Sequence, residues 1–271
     1  MLRLEKFSGF SELGELNLNL SSCGDCIVEY HDVLQSTQVR ARELAAEGAE
    51  RAVVIAAQQT AGRGRLARPW ESPKRSGIYF SMLLRPALPA NVIHMLNIAA
   101  ALSVSEAVRE LLGLELELKW PNDLLILRES KRRKISGILS ESAMRGSTLD
   151  YCVTGIGLNL YAPNDIPADL QDRIGWLCGE GDKIDLEKLL SRVIGNFFDW
   201  LGVMERDGVG EMLAAYRKKC ASAGRFVKVE TGSEILTGFC SGVGNDGELL
   251  LETPEGTRHF HVADVTHAGL M

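Results

Sequence analysis

The chain lacks the usual sequence devices for holding a nucleotide. It has no Walker A pattern, and its Gly155-Ile156-Gly157 pair is missing the third glycine of a dinucleotide fingerprint. Any nucleotide is therefore held by another architecture. No Ser-His-Asp or Cys-His arrangement stands out, so no covalent enzyme nucleophile is expected. Positive charge is not in excess: 30 Lys and Arg against 36 Asp and Glu leave a net charge of −6. A broad basic footprint for DNA is thereby excluded. No apolar run reaches the ~18–20 residues of a membrane span. The N-terminus, Met1-Leu2-Arg3-Leu4-Glu5-Lys6, does not lead into a signal-peptide core. No membrane partner is expected, and the expected location is the cytoplasm. Of six cysteines only Cys23 and Cys26 are close, as Cys-Gly-Asp-Cys, and no second ligand pair accompanies them. No protein metal site is expected there, and Cys152, Cys178, Cys220 and Cys240 read as reduced, partly buried thiols.

With 271 residues, 45% of them hydrophobic, there is enough chain for a sizeable core and for one large domain with a small one beside it. Ala52–Ala57 reads as a short buried strand and Ser76–Leu84 as another. A long apolar helix is predicted over Val92–Leu112, with Met95, Ile98, Ala99, Leu102, Ala107, Val108 and Leu111 on its buried face and Gly113 at its end. Leu114–Trp120 alternates as a strand, with Lys119 on its polar face, and Pro121 breaks it before Asn122-Asp123. Further strands are predicted at Leu124–Leu127, Lys134–Ser142 and Tyr151–Gly157, with a charged loop over Glu129–Arg133. Helices are predicted near Leu186–Arg206 and Val209–Cys220, where Trp176, Phe197, Phe198 and Trp200 read as packing residues. After Ala223, regularly spaced glycines separate short strands at Phe226–Glu230, Ile235–Val243, Glu248–Thr253 and Thr257–Val262, the pattern of a small β-barrel. The division expected is residues 1–222 and residues 223–271.

The least ordinary stretch is Gln59-Thr60-Ala61-Gly62-Arg63-Gly64-Arg65-Leu66-Ala67-Arg68-Pro69-Trp70. Glycine lets a backbone approach a ligand closely, and arginine offers a planar fork of donors for phosphate or carboxylate. Following a buried strand, the stretch fits an anion-holding loop. Read alone, it also fits a flexible basic surface loop. Upstream, Gln35-Ser36-Thr37-Gln38 precedes a helix over Gln38–Glu47, and either hydroxyl would serve as an N-cap. Lys119 read alone is a solvated strand position, and Gly155 and Gly157 weaken their strand unless something needs the space.

Taken whole, Gln59–Trp70 resembles the signature loop of biotin–protein ligases. Lys119-Trp120-Pro121-Asn122-Asp123, Lys134-Ile135-Ser136-Gly137-Ile138-Leu139 and Gly155-Ile156-Gly157-Leu158-Asn159 follow in the family's order. The resemblance covers Leu34 to Asn159 strongly and the C-terminal region more loosely. It implies an α+β fold, with a mixed β-sheet and helices mainly on one face, similar to class II aminoacyl-tRNA synthetases, plus an SH3-like C-terminal barrel. The catalytic pattern starts near His31, which matches the monofunctional type without an N-terminal DNA-binding module. The family usually reads Asp-Ser-Thr-Asn where this chain has Gln35-Ser36-Thr37-Gln38.

The resemblance implies ATP-dependent activation of biotin to biotinyl-AMP with Mg²⁺, then transfer to a lysine of a biotin carboxyl carrier protein. Biotin contacts are implied for Ser36, Thr37, Gln38, Gln59, Gly62, Arg63, Gly64, Arg65, Lys134 and Gly137. Nucleotide contacts are implied for Arg63, Arg68, Trp70, Lys119, Asn122, Lys134 and Asn159, with Arg63 and Lys134 catalytic. A carboxylate attacking an α-phosphate brings two anions together, and these cations would screen them. The resemblance leaves open a homodimer and a role for Asp123 as base. Lipoate ligases share the catalytic fold, but the full Gly-Arg-Gly-Arg loop and Lys-Trp-Pro-Asn-Asp argue against that substrate. The absent DNA-binding pattern argues against a biotin-sensing regulator.

Overall fold

The computed structural model describes residues 3–4, 18, 25–146, 148–163, 166, 170–179 and 182–267. Cys23 lies outside the described residues, and Cys26, Cys152, Cys178, Cys220 and Cys240 are free thiols. The first sheet is built from β1 (Arg3–Leu4), β2 (Ile27–His31), β3 (Ala52–Ala56), β4 (Gly77–Leu84), β5 (Glu117–Lys119), β6 (Asp123–Arg128), β7 (Lys131–Arg145) and β8 (Thr148–Asn159). Their spatial order is β1-β2-β3-β4-β8-β7-β6-β5. The pairs β1–β2 and β2–β3 run parallel and the others antiparallel, so the sheet is mixed. All of β3 and nearly all of β4 is buried, because both faces are covered.

Alternation along the strands divides the two faces. Val53, Ile55, Phe80, Met82 and Ile156 point into the main core with α2 (Leu96–Leu112), α3 (Leu186–Asp207) and α4 (Gly210–Lys219). Val54, Leu83 and Val153 pack on the other side against Ala41, Leu44 and Ala45 of α1 (Thr37–Ala46). Among the described residues, three of the four α-helices thus share one face. By length and composition Ala90–Leu112 is apolar enough to cross a membrane, which sequence inspection alone did not register; most of it is buried in the core. It begins as a 3₁₀ turn, Ala90–Met95, and ends where Gly113 takes a left-handed φ of 67°. Leu111 turns outward, against the predicted face, and is exposed.

Two local expectations need correction. Only Glu117–Lys119 of the predicted Leu114–Trp120 strand pairs with a neighbour, since the β6 register stops at Glu117↔Leu125. The predicted loop Glu129–Arg133 is a two-residue turn: Glu129 and Ser130 take φ of 50° and 61°, and Lys131 already pairs with Arg128. Both central residues of such tight hairpin turns need positive φ. Arg132, thereby placed in β7, reaches across to Glu117 at 2.5 and 2.9 Å.

The second sheet comprises β9 (Arg225–Glu230), β10 (Ile235–Val243), β11 (Leu249–Thr253), β12 (Gly256–Phe260) and β13 (Asp264–His267), ordered β12-β11-β10-β9-β13 and antiparallel throughout. It is the small C-terminal β-unit that the glycine spacing predicts, with one strand more, β13. Trp120 ties the two units by donating Nε1–H to the Gly247 carbonyl at 2.9 Å. Ala221 N–H donates to the Leu118 carbonyl at 2.8 Å, which anchors the segment leading into the second sheet.

Candidate active site

On the α1 side of the first sheet lies an open cleft of about 1640 Å³. Its floor comes from β4, β8 and β7, where Ser81 pairs with Gly155, Gly157 with Gly137, and Gly155 with Leu139. The glycines leave room above the sheet, and two side chains fill it. A Cβ on Gly155 would come within 2.6 Å of Gln38 Oε1, and a Cβ on Gly157 within 2.3 Å of Trp70 Nε1. Trp70 also overlies Gly137, whose Cβ would stand 2.8 Å from its ring.

At one end of the floor is a neutral polar cluster. Gln59 Oε1 accepts from the Thr37 backbone N–H at 2.9 Å, while Gln59 Nε2 donates to Ser72 Oγ at 2.9 Å. Thr37 Oγ1 lies 2.8 Å from Ser81 Oγ and 3.2 Å from Gln59 Oε1. Gln38 Nε2 donates to the carbonyls of Val153 and Leu139, at 3.0 and 3.4 Å, so its Oε1 accepts from Ser81 Oγ at 3.1 Å. Ser36 occupies the N-cap position of α1 but its hydroxyl caps nothing. Its Oγ is buried without a partner and borders the cleft. A buried hydroxyl left unmade is costly, and a polar ligand would satisfy it.

The other end is charged. Lys134 Nζ lies 2.6 Å from Asp123 Oδ1 and 5.1 Å from the centre of a Trp70 ring, and Lys119 Nζ lies 3.9 Å from Asp123 Oδ2. Burial lowers the Lys119 pKa; Asp123 opposes this, and Lys134 and Arg173 add to it. Lys119 is therefore a half-buried cleft residue, not a solvated one. The Asn122 side chain is tied to the Ile138 carbonyl at 2.8 Å, and Asn159 donates to the Gly175 carbonyl at 3.1 Å. Residues Arg173 and Gly175 exchange backbone bonds with Lys134, bringing Trp176 to the cleft rather than into the core.

The Gly/Arg stretch is a hairpin rather than an irregular loop. Trp70 N–H donates to the Gly62 carbonyl at 3.0 Å and Gly64 N–H to the Arg68 carbonyl at 2.8 Å. Gly62 is the one sequence-predicted residue that does not border the cleft. It is buried where a Cβ would meet the Trp70 carbonyl at 2.4 Å. Arg63 borders the cleft with an exposed side chain. Arg65 turns away from the Gln59 cluster toward Asn122 Oδ1 and the Ala263 carbonyl, each at 3.3 Å. Burial lowers its pKa, with Asp264 and Asp123 opposing. Arg68 pairs with Asp264.

Sequence reasoning did not single out Ser72, Ser81 or Asp264. Ser81 carried a signal, being the one polar side chain inside Ile78–Leu84 apart from the Tyr79 hydroxyl. Among the described residues no group of three or more His, Cys, Asp or Glu side chains is arranged to hold a metal.

Comparison with known proteins bears on the family and the fold. Residues 30–159 match the Biotin/lipoate A/B protein ligase family, and residues 223–267 match the Biotin protein ligase C terminal domain. The bifunctional ligase/repressor BirA of Bacillus subtilis is 34% identical over 239 residues, covering 87% of this chain and 72% of that protein. The biotin–[acetyl-CoA-carboxylase] ligase of Paracoccus denitrificans is 29% identical, covering 86% of this chain and 98% of that protein. The structure of the Aquifex aeolicus biotin protein ligase in complex with biotin and ATP superposes with a TM-score of 0.76 at 30% identity, covering 89% of this chain and 97% of the other. Sequence motifs, sheet order and both matched regions converge, and the chain belongs to the biotin/lipoate A/B protein ligase family.

Proposed function

We propose that the chain activates biotin with ATP and transfers it to a lysine of a biotin carboxyl carrier protein. The observation that carries this reading is the polarity of one cleft. A neutral hydroxyl and amide cluster around Ser36, Thr37 and Gln59 lies at one end, Lys134 and Lys119 lie at the other, and a glycine floor joins them. A cyclic urea needs uncharged donors and acceptors, which the first end supplies. Ser36 Oγ is uncommitted and suits the ureido group. A carboxylate and an α-phosphate need cations, which the second end supplies.

In the first step a biotin carboxylate oxygen attacks the α-phosphorus. The bond to the bridging oxygen of the β-phosphate breaks and pyrophosphate leaves. Lys134 stands between the sheet floor and Asp123, where it screens both anions as they meet. Arg63, bordering the cleft with its side chain exposed, reaches the same charge from the hairpin. Mg²⁺ would supply further charge neutralisation on the phosphates. Such an ion takes one or two carboxylates and fills its remaining positions with water and phosphate oxygens. The Asp123 carboxylate borders that space but is already paired with Lys134 and Lys119, so the ion would be held mainly by phosphate oxygens and water. In the second step the carrier's ε-amine attacks the acyl carbon, AMP leaves, and the amine loses its proton. No enzyme nucleophile takes part. Trp70 and the hairpin exclude water from the mixed anhydride meanwhile.

The test is to incubate the protein with ATP, an unmodified carrier domain and either biotin or lipoate, and to weigh the carrier. Gain of one biotinyl group with biotin alone is expected. Lipoyl transfer, or no transfer with either acid, contradicts the proposal.

A further inference from the structure

The tip of the signature hairpin is held by the C-terminal unit. Leu66 and Ala67 take left-handed backbone angles, with φ of 54° and 56°. Residues other than glycine occupy that region at a cost and persist there only when the surroundings over-determine them. Leu66 contributes little by burial, since it is 66% exposed. The determining contacts come from the arginines on either side of the pair. Arg65 gives Nη1 and Nη2 to the Ala263 carbonyl at 3.3 Å, and Nη1 lies 3.7 Å from Asp264 Oδ1. Arg68 pairs with the other oxygen, Oδ2, of the same carboxylate. Asp264 opens β13, which among the described residues pairs only with β9, at Asp264↔Glu230 through His267↔Val227. One carboxylate on a short edge strand therefore takes both arginines of the tip.

The two pairs are unequal. The Arg68 side chain is 65% exposed, and an exposed pair of this kind adds little. The Arg65 side chain is 17% exposed and already bound to Asn122, so its interaction with Asp264 is less screened and geometrically fixed. Arg65, Arg68 and Asp264 all border the cleft, so the clamp lies beside the space that takes ligand.

We infer that Asp264 is a positioning residue for catalysis. It acts from the C-terminal unit through Arg65 and Arg68, and fixes the hairpin tip over the bound acyl-adenylate. Its effect falls on nucleotide binding and retention of the intermediate. Biotin binding by itself is spared, because the Thr37–Gln59 cluster shares no hydrogen bond with Asp264. The inference rests on the ligase reading given above.

The test compares the full chain with Asp264→Ala, Asp264→Asn and Asp264→Glu. Three quantities are read: biotin affinity by calorimetry, biotinyl-AMP lost to solution per biotinyl group transferred, and hydrogen exchange across residues 62–70. In Asp264→Ala, biotin affinity should stay within about twofold, while intermediate loss and tip exchange each rise about fivefold or more. Asp264→Glu should recover most of the difference, which a purely structural lesion would not allow. If Asp264→Ala does not fold, Asp264→Asn, of equal size, carries the same comparison with a smaller expected rise. Wild-type retention and exchange in both variants overturn the inference, as does an equal fall in biotin affinity. Wild-type protein that makes no biotinyl-AMP overturns the ligase reading instead.

Discussion

Trp70 lies across Gly157 so closely that a methyl group on Gly157 would fall 2.3 Å from the indole Nε1 and 2.4 Å from Cε2. The Nε1 is buried and has no hydrogen-bond partner among the described residues. The glycine exists to admit the ring, and the ring presents an unsatisfied donor inside the cleft.

Gly157→Ala should therefore displace the indole. Forcing a methyl into a filled site costs about 1–3 kcal/mol. Thermal unfolding should show that loss, and nucleotide affinity should fall with it. In a Trp70→Ala background the same substitution should cost clearly less, because coupled residues are non-additive. Equal costs in the two backgrounds would separate the two positions.

Gln59→Ala leaves the Thr37 amide and Ser72 hydroxyl without their shared partner. Removing one side of a buried hydrogen bond costs about 1–3 kcal/mol. Biotin affinity measured by calorimetry should fall roughly 5- to 150-fold, at about 1.4 kcal/mol per decade. Unchanged affinity would remove Gln59 from the ureido end.

The hairpin has paired backbone at its base and strained backbone at its tip. Hydrogen exchange should thus find Trp70 and Gly64 amides protected in the free protein, with the tip, held there by Asp264, slowing further when biotin and ATP are both present. Asp264 already offsets part of the charge on Arg65 and Arg68, and a bound anion adds to that and offsets Arg63 as well. Arg63→Ala should increase the escape of biotinyl-AMP before transfer. Strong, equal protection of the whole stretch with and without ligands would contradict a closing hairpin.

His267 gives a pH prediction. Burial pushes its pKa down to about 4, with Lys119, Arg225 and Arg132 adding to the shift and Glu117 opposing it. Its folded pKa lies below the unfolded value near 6.5, so the unfolded chain binds the proton more readily. The contribution to stability is complete above about pH 6.5 and is lost as pH falls toward 4, a change of order 3 kcal/mol. His267→Gln should flatten the melting temperature over that interval. An unchanged slope would show that other groups set it. Glu29, which burial would raise but His31 and Arg40 hold down to about 2, acts lower, between about pH 4.5 and 2.

Much of this molecule is legible in the sequence because its local signals are strong. The strand before Gly62, the Gly/Arg stretch and the glycines at 137, 155 and 157 announce close backbone approach, and the geometry shows what approaches. Ser81, a small hydroxyl inside an otherwise apolar strand but for Tyr79, carries such a local signal too. Other features depend on distant partners and leave no local trace. Glu129 and Ser130 turn tightly because β6 and β7 demand it, not because either favours positive φ. The strand Asp264–His267 is too short to announce itself by alternation, yet it supplies the carboxylate that meets Arg65 and Arg68, 196 to 199 residues away.

Biotin-dependent exchange of pyrophosphate into ATP, followed by single-turnover formation of biotinyl-AMP in wild type and Lys134→Ala, tests the central claim most directly. The wild type should exchange only when biotin is present. Lys134→Ala should form the adenylate roughly a hundredfold more slowly, as loss of one charge-stabilising donor does, while its ATP affinity falls much less. Exchange without biotin, or equal single-turnover rates in the two proteins, would contradict biotin activation at Lys134.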